Sequence, residues 1–205
     1  MIPFLMMRAS RLAEIISSVI GPGPQEFLGG DYTAGFYGKL PVSDLIDGDS
    51  LASMVGITQG VSVNSNTEWL KFSRNNKTIY VASKVIRHTI SWDALHEQGV
   101  AYGEKRIQIN GNTYSVRLIT GGRIPAGGEW PELIYKVHQD DPTGTRWASY
   151  SNAELGISGS LRTWAQETNV ETSRFIVGGT LTGYGNISSS VVTNSIGWRP
   201  VLELV

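Results

Sequence analysis

Cysteine is absent from the 205-residue chain. That excludes a disulfide framework, a thiolate nucleophile and any cysteine-ligated metal, and it fits a protein made in a reducing cytosol. Charge is sparse and balanced, with Lys+Arg 17 against Asp+Glu 18 and a formal net charge of −1. No global field is left to draw in nucleic acid or an anionic membrane, so neither is expected as a partner. Histidine is scarce too. His88, His96 and His138 are the only three, and no two stand one helical turn apart as a helical zinc site requires. No apolar run approaches the roughly eighteen residues that span a bilayer. The opening Met1-Ile2-Pro3-Phe4-Leu5-Met6-Met7-Arg8 is apolar but short, with no basic region before it and no small-residue cleavage site after it. It does not read as an export signal. A soluble chain without membrane insertion is expected.

Catalytic and cofactor motifs are missing as well. A serine nucleophile elbow needs Gly-x-Ser-x-Gly, and Gly156-Ile157-Ser158-Gly159 misses that spacing. The glycine pairs at 29–30, 121–122, 127–128 and 178–179 are not followed by Lys-Ser/Thr and do not open a helix after a strand, so they read as turns. Asp140-Asp141-Pro142-Thr143-Gly144 lacks the acidic spacing of a calcium loop. Ser91-Trp92-Asp93 reads as a helix cap and an acidic first turn, not as part of a triad. No enzyme, cofactor or metal is expected.

What is present is a length sufficient for one core with an appendage, 40% hydrophobic residues and 24 scattered glycines, which together predict an ordered domain rich in turns and short strands. Phe4, Leu5, Leu12, Ile15, Ile16 and Val19 fall on one stripe at helical spacing, and Gly21-Pro22-Gly23-Pro24 ends that helix in a semi-rigid spacer. The stripe either folds back on its own domain or docks on a neighbouring subunit. The organisation read from this is a helix and spacer over residues 1–24, an irregular connection over 25–67 and a main domain over 68–205. Ser43 and Asp49 are candidate caps for short turns in the connection.

Two hairpins stand out in the main domain. Residues 69–73 and 78–82 alternate around Asn75-Asn76, and 106–109 and 113–119 flank Asn110-Gly111, a strong hairpin signal. Helices are expected from Ser91 and from Trp130-Pro131, with short strands at 161–167 and 173–177. Gln166-Glu167 is expected to accept a structural bond from Arg174 or Arg199. The closing Gly197-Trp198-Arg199-Pro200-Val201-Leu202-Glu203-Leu204-Val205 is too apolar to remain in water and reads as a strand entering the core, with Pro200 marking an edge or a bulge. Hairpins with segregated helices predict an α+β fold.

Of six tryptophans, Trp69, Trp92, Trp130, Trp164 and Trp198 lie in expected elements and are assigned to the core. Trp147, Tyr150 and Asn152, and also Tyr184, Asn186 and Asn194, lie in polar loops whose composition resembles recognition surfaces.

Trp69-Leu70-Lys71-Phe72, Ile79-Tyr80-Val81-Ala82, Ile86-Arg87-His88-Thr89-Ile90-Ser91-Trp92-Asp93, Tyr114-Ser115-Val116-Arg117-Leu118, Trp164-Ala165-Gln166-Glu167 and Gly197-Trp198-Arg199-Pro200-Val201-Leu202-Glu203 together resemble tailed-bacteriophage virion proteins. The resemblance covers roughly residues 35–205. It implies a domain similar to the C-type-lectin and formylglycine-generating-enzyme folds, with antiparallel hairpins, two helices and a loop-rich C-terminal half behind an N-terminal helical arm. Enzymes of that fold act through cysteines, and calcium-dependent lectins carry Glu-Pro-Asn or Gln-Pro-Asp and Trp-Asn-Asp motifs. This sequence has neither. The implied role is a non-enzymatic structural protein of the virion, made in the host cytoplasm, at a capsid, neck, tail or fibre position. Its partners would be other virion proteins and copies of itself, met through the assembly helix. The alternative is a host-surface module that binds a glycan or protein through the C-terminal loops.

Overall fold

The computed structural model describes residues 20–122, 127–157 and 159–205. Among these residues thirteen strands alternate with short helices. They begin with β1 (Gly29–Gly30), β2 (Ala34–Leu40), α1 (Gly48–Val55), β3 (Val61–Ser62), β4 (Trp69–Arg74), β5 (Lys77–Ala82) and β6 (Arg87–His88). There follow α2 (Trp92–Glu97), β7 (Tyr102–Ile109), β8 (Asn112–Leu118), a π-helical turn at Trp130–Ile134 that runs into α3 (Tyr135–Val137), β9 (Arg162–Val170), β10 (Ser173–Gly178), β11 (Tyr184–Ser188), β12 (Ile196–Trp198) and β13 (Pro200–Leu204).

Seven strands form one sheet in the order β1-β2-β4-β5-β13-β8-β7, and six form a second in the order β11-β10-β9-β12-β6-β3. All neighbours are antiparallel except β12 against β9. The α+β, C-type-lectin-like architecture expected from sequence is therefore corrected to a mostly β fold of two sheets with three short helices. Hydrogen bonding decides this. The late segments 162–170, 173–178 and 184–188 pair into a meander, and the helices expected from Ser91 and Trp130 extend for only one to two turns. The N-terminal helical arm is no part of the described fold. Phe4, Leu5, Leu12, Ile15, Ile16 and Val19 all lie among residues 1–19, outside the described residues.

Both expected hairpins form. Asn75 and Asn76 turn at φ 50° and 63° between β4 and β5, and Asn110 and Gly111 turn at 49° and 81° between β7 and β8, the left-handed pair that a two-residue hairpin demands. Ser91 caps α2 by accepting from Ala94 N at 3.1 Å. At α1 the cap is Asp47, neither Ser43 nor Asp49, and its Oδ1 accepts from Asp49 N and Ser50 N at 3.0 and 2.9 Å. Residues 25–67, read from sequence as an irregular connection, carry β1, β2, α1 and β3, and β2 is bonded along the length of β4.

Core lies on both faces of the seven-stranded sheet. Trp69, Tyr80, Tyr114, Val116 and Leu202 face α1, α2 and the second sheet. Leu70, Phe72, Ile79, Val81 and Val201 face the Trp130–Val137 helix on the other side. The C-terminal segment joins the layers: β12 belongs to the six-stranded sheet and β13 to the seven-stranded one. Pro200 sits where the chain crosses between them. It marks neither an edge nor a bulge, because β13 is central, between β5 and β8. As the first residue of its strand it need not donate to a ladder there.

The spacer after residue 19 is bound to the sheet. Lys71 Nζ, on buried β4, donates to Pro24 O at 2.6 Å and Gly21 O at 3.3 Å. Tyr80 Oη donates to Pro22 O at 3.0 Å, with Ile20 O at 3.3 Å. Burial pushes the Lys71 ammonium down to about 8 from its ordinary value of 10.5. Between those two pH values the unfolded chain holds a proton that the folded chain has released, so stability rises with pH across the window and is flat below it. Urea midpoints should climb from pH 8 to 10 more steeply in the wild type than in Lys71→Met. Parallel profiles would assign the rise to other groups.

Candidate functional site

A recessed surface surrounds the turn between β10 and β11. Gly178 N donates to Gly183 O at 3.0 Å and Gly183 N donates to Thr180 O at 2.9 Å, closing the turn on itself. Only glycine fits at 183, because a Cβ there would lie 2.2 Å from Gly178 O. Gly178 and Gly179 have φ 95° and 81°, the left-handed region that side chains avoid. The narrowness of this turn leaves a concavity on each side of it, and Gly183 borders both.

One concavity is a recess of about 280 Å³ walled by Trp130, Tyr135, Val177 and Tyr184. Trp130 Nε1 donates to Leu181 O at 2.9 Å, which ties the start of the π-helical turn to the β10–β11 turn. The Tyr184 ring lies 4.9 Å from that of Phe175. The other concavity is a groove of about 380 Å³ with Ile176 and Ile196 in its wall and Ser160, Thr180 and Ser195 around it. Arg162, the first residue of β9, lies along this groove. Its Nε is 3.3 Å from where a Cβ on Gly179 would stand, and its Nη1 is 3.2 Å from the same point on Gly185. A side chain at either glycine would press on the guanidinium. Among the described residues no hydrogen bond or ion pair engages the Arg162 side chain, and no carboxylate lines the groove.

Comparison with family models, with curated proteins and with solved structures finds no match to this chain. The reading of the site therefore rests on its geometry.

The structure separates the loop residues singled out from sequence. Tyr184 lines the recess. Asn186 lies exposed on β11 opposite Phe175, and Asn194 is exposed in the turn before β12. Trp147, Tyr150 and Asn152 line neither concavity. Trp147 lies against Gly29 and Gly30, with Lys136 Nζ 4.9 Å from its ring centroid. Tyr150 meets Phe36 edge-on at 6.1 Å and takes Lys39 Nζ over its ring at 4.0 Å. Asn152 Oδ1 accepts from His138 Nε2 at 2.9 Å, while His138 Nδ1 accepts from Asp140 N, a pattern that selects the neutral Nε2–H tautomer. Arg162, Trp130 and Tyr135 were missed as site residues. Trp130 was recognised only as core, and Arg162 carries no motif.

Other polar groups are engaged structurally. Glu167 accepts from Gly121 N and Gly122 N at 2.8 and 2.9 Å, not from Arg174 or Arg199. These two backbone donors lie within its reach because Ile119 bridges to Ala165. Arg199 is fully buried at the crossing between sheets, donates to Leu155 O at 2.5 Å and stands 5.2 Å from the Trp130 ring centroid. Its Nε and Nη1 have no partner among the described residues, and burial pushes it down to about 9. Thr89 holds φ 57°, unusual for a β-branched residue, and its Oγ1 contacts His88 Nδ1 at 2.7 Å. No carboxylate backs His88 among the described residues, so the pair lacks the third member of a nucleophile triad. No group of three His, Asp or Glu side chains able to hold a metal occurs among the described residues.

Proposed function

We propose that the chain is a non-enzymatic structural subunit of a tailed-phage particle, in which a rigid β domain anchors an N-terminal segment that docks on neighbouring subunits. The observation that carries this reading is the clamp on Ile20–Pro24. A buried lysine and a buried tyrosine expend their polar atoms on four consecutive-region carbonyls, those of Ile20, Gly21, Pro22 and Pro24. A segment that only linked two independent parts would need no such anchorage. The clamp fixes Ile20–Pro24 on the sheet, directly after residues 1–19, whose sequence is rich in apolar side chains. In a symmetric particle, a fixed departure point gives every copy the same approach to its neighbour.

Deleting residues 1–19 tests this. Light scattering should report a defined oligomer for the full chain and a folded monomer for the shortened one, and assembled particles should lack the shortened chain. The cut belongs before Ile20, because removing Gly21–Pro24 would leave Lys71 and Tyr80 without acceptors. A full chain that is monomeric and absent from particles would sink the proposal.

The concavities beside Gly183 favour a second reading, a host-surface binding module presented through the C-terminal loops. A recess with aromatic walls next to a groove with one unopposed cation has the make-up of a small-ligand site.

A further inference from the structure

We propose that the groove and the recess on either side of Gly183 form one site for an acidic carbohydrate, with a sugar carboxylate bound by Arg162 and an adjoining ring held against Tyr184. The proposal rests on the second reading above and adds the charge and size class of the ligand.

Charge comes first. Among the described residues Arg162 is the only charged one in the groove wall, and its side chain has no partner. A guanidinium in a concavity is partly stripped of water and presents a planar fork of donors, which matches a carboxylate in two parallel bonds. Two arginines that hold the fold together pair with carboxylates, Arg117 with Glu129 and Glu203 and Arg74 with Glu132, and Arg199 is fully buried away from solvent, whereas Arg162 lies along an open groove. Glycines at 179 and 185 hold the space into which Arg162 extends, and any side chain there would press on its Nε or Nη1.

Size and polarity come second. At about 380 Å³ the groove is larger than a bare inorganic anion needs, and the recess beyond Gly183 adds about 280 Å³. The hydroxyls of Ser160, Thr180 and Ser195 suit a ligand with many hydroxyls of its own. Tyr184, half-buried on the recess side, supplies an aromatic wall. The shared chemistry is an oxyanion, which a uronic acid residue or free phosphate could each supply. The combined volume and the aromatic wall favour the sugar.

The test titrates the full chain with a glucuronate-containing oligosaccharide, a neutral glucose oligosaccharide of equal length and inorganic phosphate. Calorimetry gives affinity, and the amide resonances of Gly179, Gly183 and Gly185 report the place of binding. The acidic oligosaccharide should bind at least about tenfold more tightly than the neutral one, Arg162→Gln should erase that difference, and Arg162→Lys should restore part of it, since a charge-assisted pair exceeds a neutral one by roughly this factor. Arg162→Gln breaks no bond within the protein, so its fold should be unchanged by circular dichroism. Equal binding of both oligosaccharides, insensitive to Arg162, would overturn the acidic selectivity and leave the binding-module reading standing. Phosphate binding that depends on Arg162, with no gain from the oligosaccharide, would overturn the sugar assignment. No shift with any of the three would overturn the proposal, and a negative screen against host-surface glycans and proteins would then remove the second reading too.

Discussion

Trp164→Ala should cost the protein about 3–5 kcal/mol, the range for emptying a large aromatic site in a core. Trp164 is 0% exposed on β9, in the cluster that α2 and both sheets share. Its Nε1 also donates to Ile90 O at 2.9 Å, and losing that donor leaves a buried carbonyl unpaired, a penalty of about 1–3 kcal/mol where water cannot enter. Domains hold only about 5–15 kcal/mol in total, so the alanine variant should be largely unfolded or unfold in very dilute denaturant. Trp164→Phe retains most of the ring and loses the bond, and should fall between the two. Urea midpoints with unchanged slopes would check this order. A phenylalanine variant as unstable as the alanine one would show that the hydrogen bond, not the volume, dominates.

The second large effect is expected at Glu129. Its carboxylate takes two bonds from Arg117, Nη1 to Oε2 at 2.8 Å and Nη2 to Oε1 at 2.5 Å, and a third from Thr120 N at 2.9 Å. Arg117 Nε continues to Glu203 Oε2 at 3.0 Å, and Glu203 also meets Lys77. The Arg117 and Glu129 side chains are 11% and 3% exposed. Glu129→Ala leaves a nearly buried guanidinium with half its acceptors gone, and breaking such a pair costs about 3–5 kcal/mol. Removing both charges, as in Arg117→Met with Glu129→Leu, should cost clearly less than Glu129→Ala, because no orphaned charge remains. If the double variant is the weaker one, the pair is a net source of stability. Burial pushes the Glu203 carboxyl up, but Lys77 and Arg117 outweigh that and hold it below the usual carboxylate range. Its contribution is therefore present above the unfolded carboxyl value and is lost as pH falls through the folded one.

Local pattern was readable where it depended on neighbours in sequence. Asn75-Asn76 and Asn110-Gly111 turn because their backbones tolerate positive φ, and Ser91 caps α2 because its hydroxyl reaches a free amide. Five tryptophans were assigned to the core and all five are at most 1% exposed. Four staple separate elements through their indole N–H, as Trp69 does to Ile46 O and Trp92 to Ala165 O. Trp147 and Tyr150 stand in a polar loop, yet they lie against β1 and β2, contacts that local composition does not announce.

The amino-acid sequence by itself determined the hairpins, the cap of α2, the aromatic core and the burial of Trp198, Val201 and Leu202, because each follows from bonds or apolar spacing within a few residues. Val205 is exposed. Tertiary structure decided the rest. Trp69, Lys71 and Ser73 share one face of β4, and that alternation gives no sign that residues 20–33 lie over the polar pair. Lys71 and Ser73 are buried because carbonyls of Gly21, Pro24 and Tyr32 reach them from that distant segment. Pairing across long separations also placed β12 and β13 in different sheets. Such pairing also set β12 beside β9, and the β9–β10–β11 meander then brought Arg162 into the space left by Gly179 and Gly185. Strand partners separated by many residues are chosen by the packing of whole faces, and no local pattern records that choice.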